Sequence, residues 1–220
     1  QGSLVPLRDY GLGRELQGLS LRNVGLAVFE DRKKIYTDFG EMLFTHFGVS
    51  GPLVLSASAH MRHFGKKTYR LEIDLKPALD EKTLYDRLTR DFAALGGHSA
   101  QGALEKLLPN SMRPVAVKKW GVDPATRAAQ ITREQKMALV HLCKHWQVPI
   151  SELGDLQHAV ITAGGVDTKE VDPKTMQSKL CPGLYFAGEV LDVDARTGGY
   201  NLQIAWATAQ AAVRAIGNDT

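Results

Sequence analysis

Between residues 19 and 29 the chain reads LSLRNVGLAVF, with apolar side chains partly alternating with polar ones, as in a half-buried strand. A second strand-like piece lies within Lys33 to Phe44, and KTYRLEIDL over 67–75 alternates cleanly. Glycines at 40, 48, 51 and 65 punctuate this stretch, so residues 4–79 read as β-rich and barrel-like. From Asp80 the period lengthens. Asp80 can cap a helix running through Ala94, with Leu84, Leu88, Phe92 and Leu95 at helical spacing and Gly96-Gly97 ending it. Ser99 can cap a short helix to Leu108, stopped by Pro109, and 112–120 reads as another. Asp123-Pro124 has the form of a cap followed by proline at the first helical position. Thr132 with Gln135 fits a capping box opening a helix to about Trp146. Residues 80–147 are thus expected to be mainly helical.

The pattern changes again beyond 148. Gln157 to Thr162 reads as a short strand ending in Ala163-Gly164-Gly165, and Leu184 to Ala187 as another. Asn201 to Ile216 is helical and alanine-rich, able to approach a sheet closely. The expected class is α+β: residues 4–155 as one domain, and 156–220 as a segment of a second.

Composition adds boundaries. Hydrophobic content of 44% in 220 residues suffices for a buried core. The net charge of +3 comes without a basic run, which argues against nucleic-acid or polybasic membrane partners. No apolar run approaches the roughly 18 residues a spanning helix needs. Cys143 and Cys181 form no CxxC pair, so a disulfide framework is not expected and a reducing cytoplasm fits. The opening residues Gln1–Ser3 are short and polar, carry no signal-peptide pattern, and are given no part in the fold.

The chemistry concentrates in LYFAGEVLDVDARTGGYNLQIA, residues 184–205. An apolar strand ends at Gly188 and the carboxylate Glu189. A loop then leads to Gly198-Gly199 and a helix start. A carboxylate in that place suits sugar or polyol hydroxyls, since it only accepts hydrogen bonds. Glycines at a helix N-terminus let unpaired N–H groups approach a ligand, and the helix dipole adds to the attraction. A plain strand-to-helix connection would carry the same residues, and composition does not separate the two readings.

This stretch resembles the C-terminal flavin motif of the two-dinucleotide-binding-domain flavoproteins, and more narrowly the HI0933-like (YhiN/BaiN) family of NAD(P)/FAD-dependent oxidoreductases. TAGGV at 162–166, GEMLFTHFGVSGP at 40–52 and TMQSK at 175–179 carry the same resemblance. It implies that Glu189 holds ribityl or ribose hydroxyls of FAD. It implies too that the backbone around Gly188, Thr197, Gly198, Gly199, Tyr200, Asn201 and Leu202 faces the flavin or pyrophosphate, with NAD(P)H as reductant. Thr45, His46, Ser50 and Arg196 are the substrate-side candidates; Gly48 and Gly51 are equally explained by a tight turn.

The family's opening strand–GxGxxG–helix unit is not found. Gly11 and Gly13 precede Leu16 where a third glycine belongs, so that segment is rejected as a dinucleotide site. The chain is therefore expected to be a C-terminal fragment lacking half of its FAD domain, unable to hold FAD well alone. The small-molecule substrate and oligomeric state are not readable. His141 and His145, four apart on one helical face, are read as packing or solvated because HExxH is absent, and no metal site is expected. Asp192 and Asp194 are expected to shape the loop or receive Arg196. A competing reading makes the β-rich region a small barrel that binds RNA or a protein.

Overall fold

The computed structural model describes residues 2–218, the side chain of 218 excepted. In chain order the strands are β1 (Gly2–Ser3), β2 (Leu7–Asp9), β3 (Ser20–Glu30), β4 (Lys33–Thr45), β5 (Gly48–Ser50), β6 (Tyr69–Asp74), β7 (Trp146–Leu153) and β8 (Ile161–Thr162). The helices are α1 (Leu12–Glu15), α2 (Pro52–Ser58), α3 (Glu81–Ala94), α4 (Arg113–Trp120), α5 (Arg133–Lys144) and α6 (Tyr200–Asn218). The chain divides into two compact units: residues 7–53 with 63–152, and residues 1–6, 54–62 and 153–220.

The first unit is a closed barrel, in the order β2-β5-β4-β3-β6-β7, carrying a helical block. Its long hairpin β3–β4 pairs Val28 with Tyr36, and β3 also pairs with β6. Alternation sends Val24, Leu26, Val28, Met42, Phe44, Leu71 and Ile73 into the core. In the block, α3 has its cap: the Asp80 carboxylate accepts the Thr83 N–H at 2.7 Å. α3 buries Leu84, Leu88 and Phe92. The capping box at α5 is complete, with Thr132 and Gln135 each accepting the other's backbone N–H.

Three local expectations are corrected. Residues 99–108 form only a 3-10 turn at Gly102–Leu104, though Ser99 Oγ does accept the Gly102 N–H. Asp123-Pro124 opens a turn, in which Asp123 accepts the Ala125 N–H, and no helix follows directly. α5 ends at Lys144, and Trp146 begins β7, whose register opposes Trp146 to Ile73 and Val148 to Leu71. The rejected Gly11–Leu16 segment is a short helix. Asp9 accepts the N–H groups of Gly11 and Gly13, and a Cβ at Gly13 would lie 2.6 Å from the Gly48 carbonyl oxygen.

The second unit contains the small sheet β1–β8 and α6. Here the opening residues do take part: Gly2 pairs with Thr162 and Ser3 with Ile161, and Ser3 is buried. Residues 157–162 are strand only at β8, with a 3-10 turn before it. Leu184 to Ala187 is not a strand; it has one bridge, Gln177 to Tyr185, flanked by bonds from Ser178 N–H to Leu184 and from Phe186 N–H to Met176. Without a second run of paired neighbours the segment has no ladder to join. Val171, Met176, Leu191 and Ala212 form this unit's local core.

Candidate functional site

In the second unit a cavity of about 360 Å³ is lined by Gly188, Glu189, Arg196, Thr197, Gly198, Gly199, Asn201 and Leu202, among others. All of these were singled out from sequence. Tyr200 does not line it, and its side chain is largely exposed.

The two glycine motifs are tied to each other. Glu189 Oε1 accepts both the backbone N–H and the hydroxyl of Thr162, the first residue of TAGGV. Among the described residues no hydrogen bond reaches its Oε2. Val166 N–H donates to the Val190 carbonyl, Asp192 N–H returns to Val166, and the Asp192 carboxylate accepts the Gly164 N–H at 3.0 Å. Gly165 is required here, because a Cβ would sit 2.3 Å from the Val190 carbonyl oxygen.

Asp194 is held differently. Its carboxylate takes the Arg62 guanidinium at 2.8 and 2.9 Å and the Ser3 hydroxyl at 2.7 Å, leaving its side chain 13% exposed. Of the roles expected of these two carboxylates, shaping the loop is the one Asp192 fills through the Gly164 N–H, and Asp194 takes in Arg62, a residue the sequence does not mark. No spacing in sequence joins 3, 62 and 194. Nearby His60 has its pKa lowered from 6.5, first by burial, with Asp194 opposing and Arg62 and Arg196 reinforcing.

The helix start is pinned by one side chain. Asn201 Oδ1 accepts the Ala195 N–H and Nδ2 donates to the Ala195 carbonyl, both at 2.8 Å. The amide thus spans the loop that precedes its own helix. Gly198 and Gly199 adopt φ of 115° and 90°, open to glycine and strained for other residues. The first backbone bond of α6 runs from Gln203 N–H to Gly199. The N–H groups of the first turn therefore lack intrahelical partners and carry the positive end of a 19-residue helix. The Gly188 N–H is different, since it donates to Thr208 Oγ1 at 2.9 Å.

Thr45, His46 and Ser50 lie in the barrel unit, on the β4–β5 hairpin. Thr45 Oγ1 accepts the Gly48 N–H, and His46 packs edge-on against Phe47. The glycines of this hairpin have steric reasons: a Cβ at Gly48 would lie 2.1 Å from the Leu7 carbonyl oxygen, and one at Gly51 3.0 Å from Met42 Cα. Cys143 is buried, which pushes its thiol up to about 12 and makes it inert, while Cys181 is exposed. Among the described residues no helix is long and apolar enough to cross a membrane.

Residues 3–161 match the HI0933-like protein barrel and H2TH domain. The chain is 34% identical over 216 residues to the ribosomal RNA dihydrouridine synthase of Haemophilus influenzae, covering 98% of this chain and 51% of that protein. The Escherichia coli protein of the same name is also 34% identical, over 96% of this chain and 50% of its own length. The 3-dehydro-bile acid delta(4,6)-reductase of Clostridium scindens is 30% identical, over 86% of this chain and 47% of the relative. The chain spans about half the length of these curated relatives. With a closed barrel inside the matched residues, and with relatives at 34% identity aligned over nearly the whole chain, the chain belongs to the HI0933-like family.

Proposed function

We propose that this chain is the barrel and C-terminal part of a flavin-dependent oxidoreductase that saturates a carbon–carbon double bond conjugated with a carbonyl. The observation that carries the reading is the cavity where an open carboxylate oxygen, Glu189 Oε2, and the unpaired first turn of α6 line one space. The donor set fits a dinucleotide with polyol and anionic parts. Glu189 would hold hydroxyls, and the N–H groups at Tyr200 to Leu202 would meet phosphate or the electron-rich edge of the ring. Bound FAD would supply the hydride-carrying ring, with NAD(P)H as its reductant. The chain's own part is positioning: Thr162 fixes Glu189, and Asn201 fixes the approach to the helix.

The relatives' names support the reaction class. A dihydrouridine synthase and a 3-dehydro delta(4,6)-reductase both act where a double bond is conjugated with a carbonyl. The higher identity and fuller coverage of the two ribosomal RNA enzymes favour a uracil ring in RNA over a free small molecule. The whole enzyme would complete its FAD domain with sequence of the kind that makes up the other half of the relatives, and the 220 residues alone would hold FAD weakly or not at all.

The test is a flavin spectrum. The polypeptide extended to the relatives' full length should purify yellow, and Glu189→Ala in it should lose most of the flavin while keeping its circular dichroism. A colourless full-length protein that cannot be reconstituted with FAD sinks the proposal. Nucleoside analysis of ribosomal RNA treated with the enzyme and NADPH distinguishes the substrates: saturated pyrimidine supports RNA, and turnover of only a free enone supports the small molecule.

A further inference from the structure

A second cluster of ligand-type side chains lies in the barrel unit. His141 on α5, His145 at the C-cap of α5 and Glu81 at the start of α3 bring one ligand atom each to within 4.8 Å of one another. We propose that these three residues bind a divalent transition-metal cation, Zn²⁺ above all, as a staple between the helical block and the barrel.

Three observations support it. The first is spacing. His145 Nε2 lies 3.6 Å from Glu81 Oε1. Two ligands of one tetrahedral zinc at 2.0–2.1 Å are about 3.3 Å apart, so a small rotation of either side chain brings this pair to ligand spacing. The imidazoles of His141 and His145 are one helical turn apart, with ring centroids 4.6 Å from each other. Both rings therefore reach the same side of α5, close to Glu81.

The second is orientation. His145 Nδ1 is hydrogen-bonded to Glu72 Oε1 at 3.0 Å. With Nδ1–H donating to that carboxylate, Nε2 carries the lone pair, and Nε2 is the nitrogen that faces Glu81. A carboxylate behind a ligating histidine is the arrangement that fixes tautomer and ring direction in metal centres. Glu72 sits on β6, so the second contact anchors the site to the barrel wall.

The third is access. His141 and His145 line a cavity of about 330 Å³ with Lys119, Trp120, Leu142 and Gln147. There a water can complete the coordination left open by three protein ligands. The neighbouring cations are engaged elsewhere. Lys119 Nζ rests over the Trp146 ring, 5.3 Å from its centroid. Lys144 Nζ is bound to Asp74 and to the carbonyls of Lys76 and Leu79. Two imidazoles and one carboxylate suit zinc better than magnesium or calcium, which prefer all-oxygen shells.

The site separates from the flavin reading, because it uses none of the residues of that cavity and its test needs no cofactor. Equilibrium dialysis of the 220-residue chain against Zn²⁺ should give one bound ion per chain at micromolar metal. Co²⁺ in its place should give the visible bands of a four-coordinate site. His141→Ala and Glu81→Gln should each weaken binding at least tenfold, and Glu72→Gln by roughly 10–100-fold. His158→Ala should leave it unchanged. Titrating Zn²⁺ into the unaltered chain should also shift the imidazole resonances of His141 and His145 together, which needs no variant to fold. Absence of stoichiometric Zn²⁺ binding, or equal binding by all variants, or imidazole shifts elsewhere than at these two histidines, overturns the site.

Discussion

Asp31 does several jobs at one position. It turns the β3–β4 hairpin with a φ of 52°, a left-handed conformation that Asp and Asn tolerate better than most residues. Its carboxylate accepts from Lys67 Nζ at 2.7 Å and from the N–H and hydroxyl of Thr68 at 3.1 Å. The Lys67 bond first, then the Thr68 N–H, lowers its pKa from 3.8 to about 2. A carboxyl with a depressed folded pKa contributes stability that is complete above the unfolded value and lost as pH falls through the folded one. Asp31→Asn keeps the turn and removes the charge. Its thermal midpoint should drop slightly near neutrality, and the difference from the parent should shrink between pH 3.8 and about 2. A gap that persists unchanged to the acid end would show that the carboxylate is not its source. Other residue roles were less legible. Asp192 and Asp194 were visible as loop carboxylates, but their partners Gly164, Arg62 and Ser3 are distant in sequence, and nothing local points to them.

At the scale of elements, legibility followed the strength of the local signal. Asp80 and the Thr132–Gln135 box placed the starts of α3 and α5, because capping is decided within four residues. Thr132→Ala removes one half of that box and should cost about 1 kcal/mol in urea denaturation; no change in midpoint would show the cap to be redundant. β7 was missed although WQVPISEL buries Trp146, Val148 and Ile150 in strict alternation. Trp146 also continues the apolar spacing of α5 through Leu139 and Cys143, so the helical period carries the expected end two residues past Lys144. His145 marks the true break, with φ of −132° as the chain turns from helix to strand. Leu184 to Ala187 failed in the opposite way. Its composition is that of a buried strand, yet strand identity is set by neighbours, and here it has one bridge.

At the scale of the molecule, the second unit carries an exposed apolar stripe on α6. Along α6, Leu202, Trp206, Val213 and Ile216 are 67%, 65%, 68% and 46% exposed, with Ala209 exposed between them. Their spacing of three and four residues makes one continuous stripe, the pattern of a helix face built to be covered. On the other side of the same helix Ala211 and Ala212 pack against the local core. Under the proposed function the stripe packs on the rest of the flavin domain, so its two contexts should respond oppositely to the same change. Trp206→Lys with Val213→Lys should make the 220-residue chain more soluble and less prone to self-associate in sedimentation experiments. In the full-length enzyme the same pair should lower flavin retention and thermal stability by several kcal/mol, since two lysines would be forced into an apolar contact. If the full-length variant keeps its flavin and its midpoint, α6 is covered by something other than the cofactor domain, and the Glu189 cavity must be completed from elsewhere.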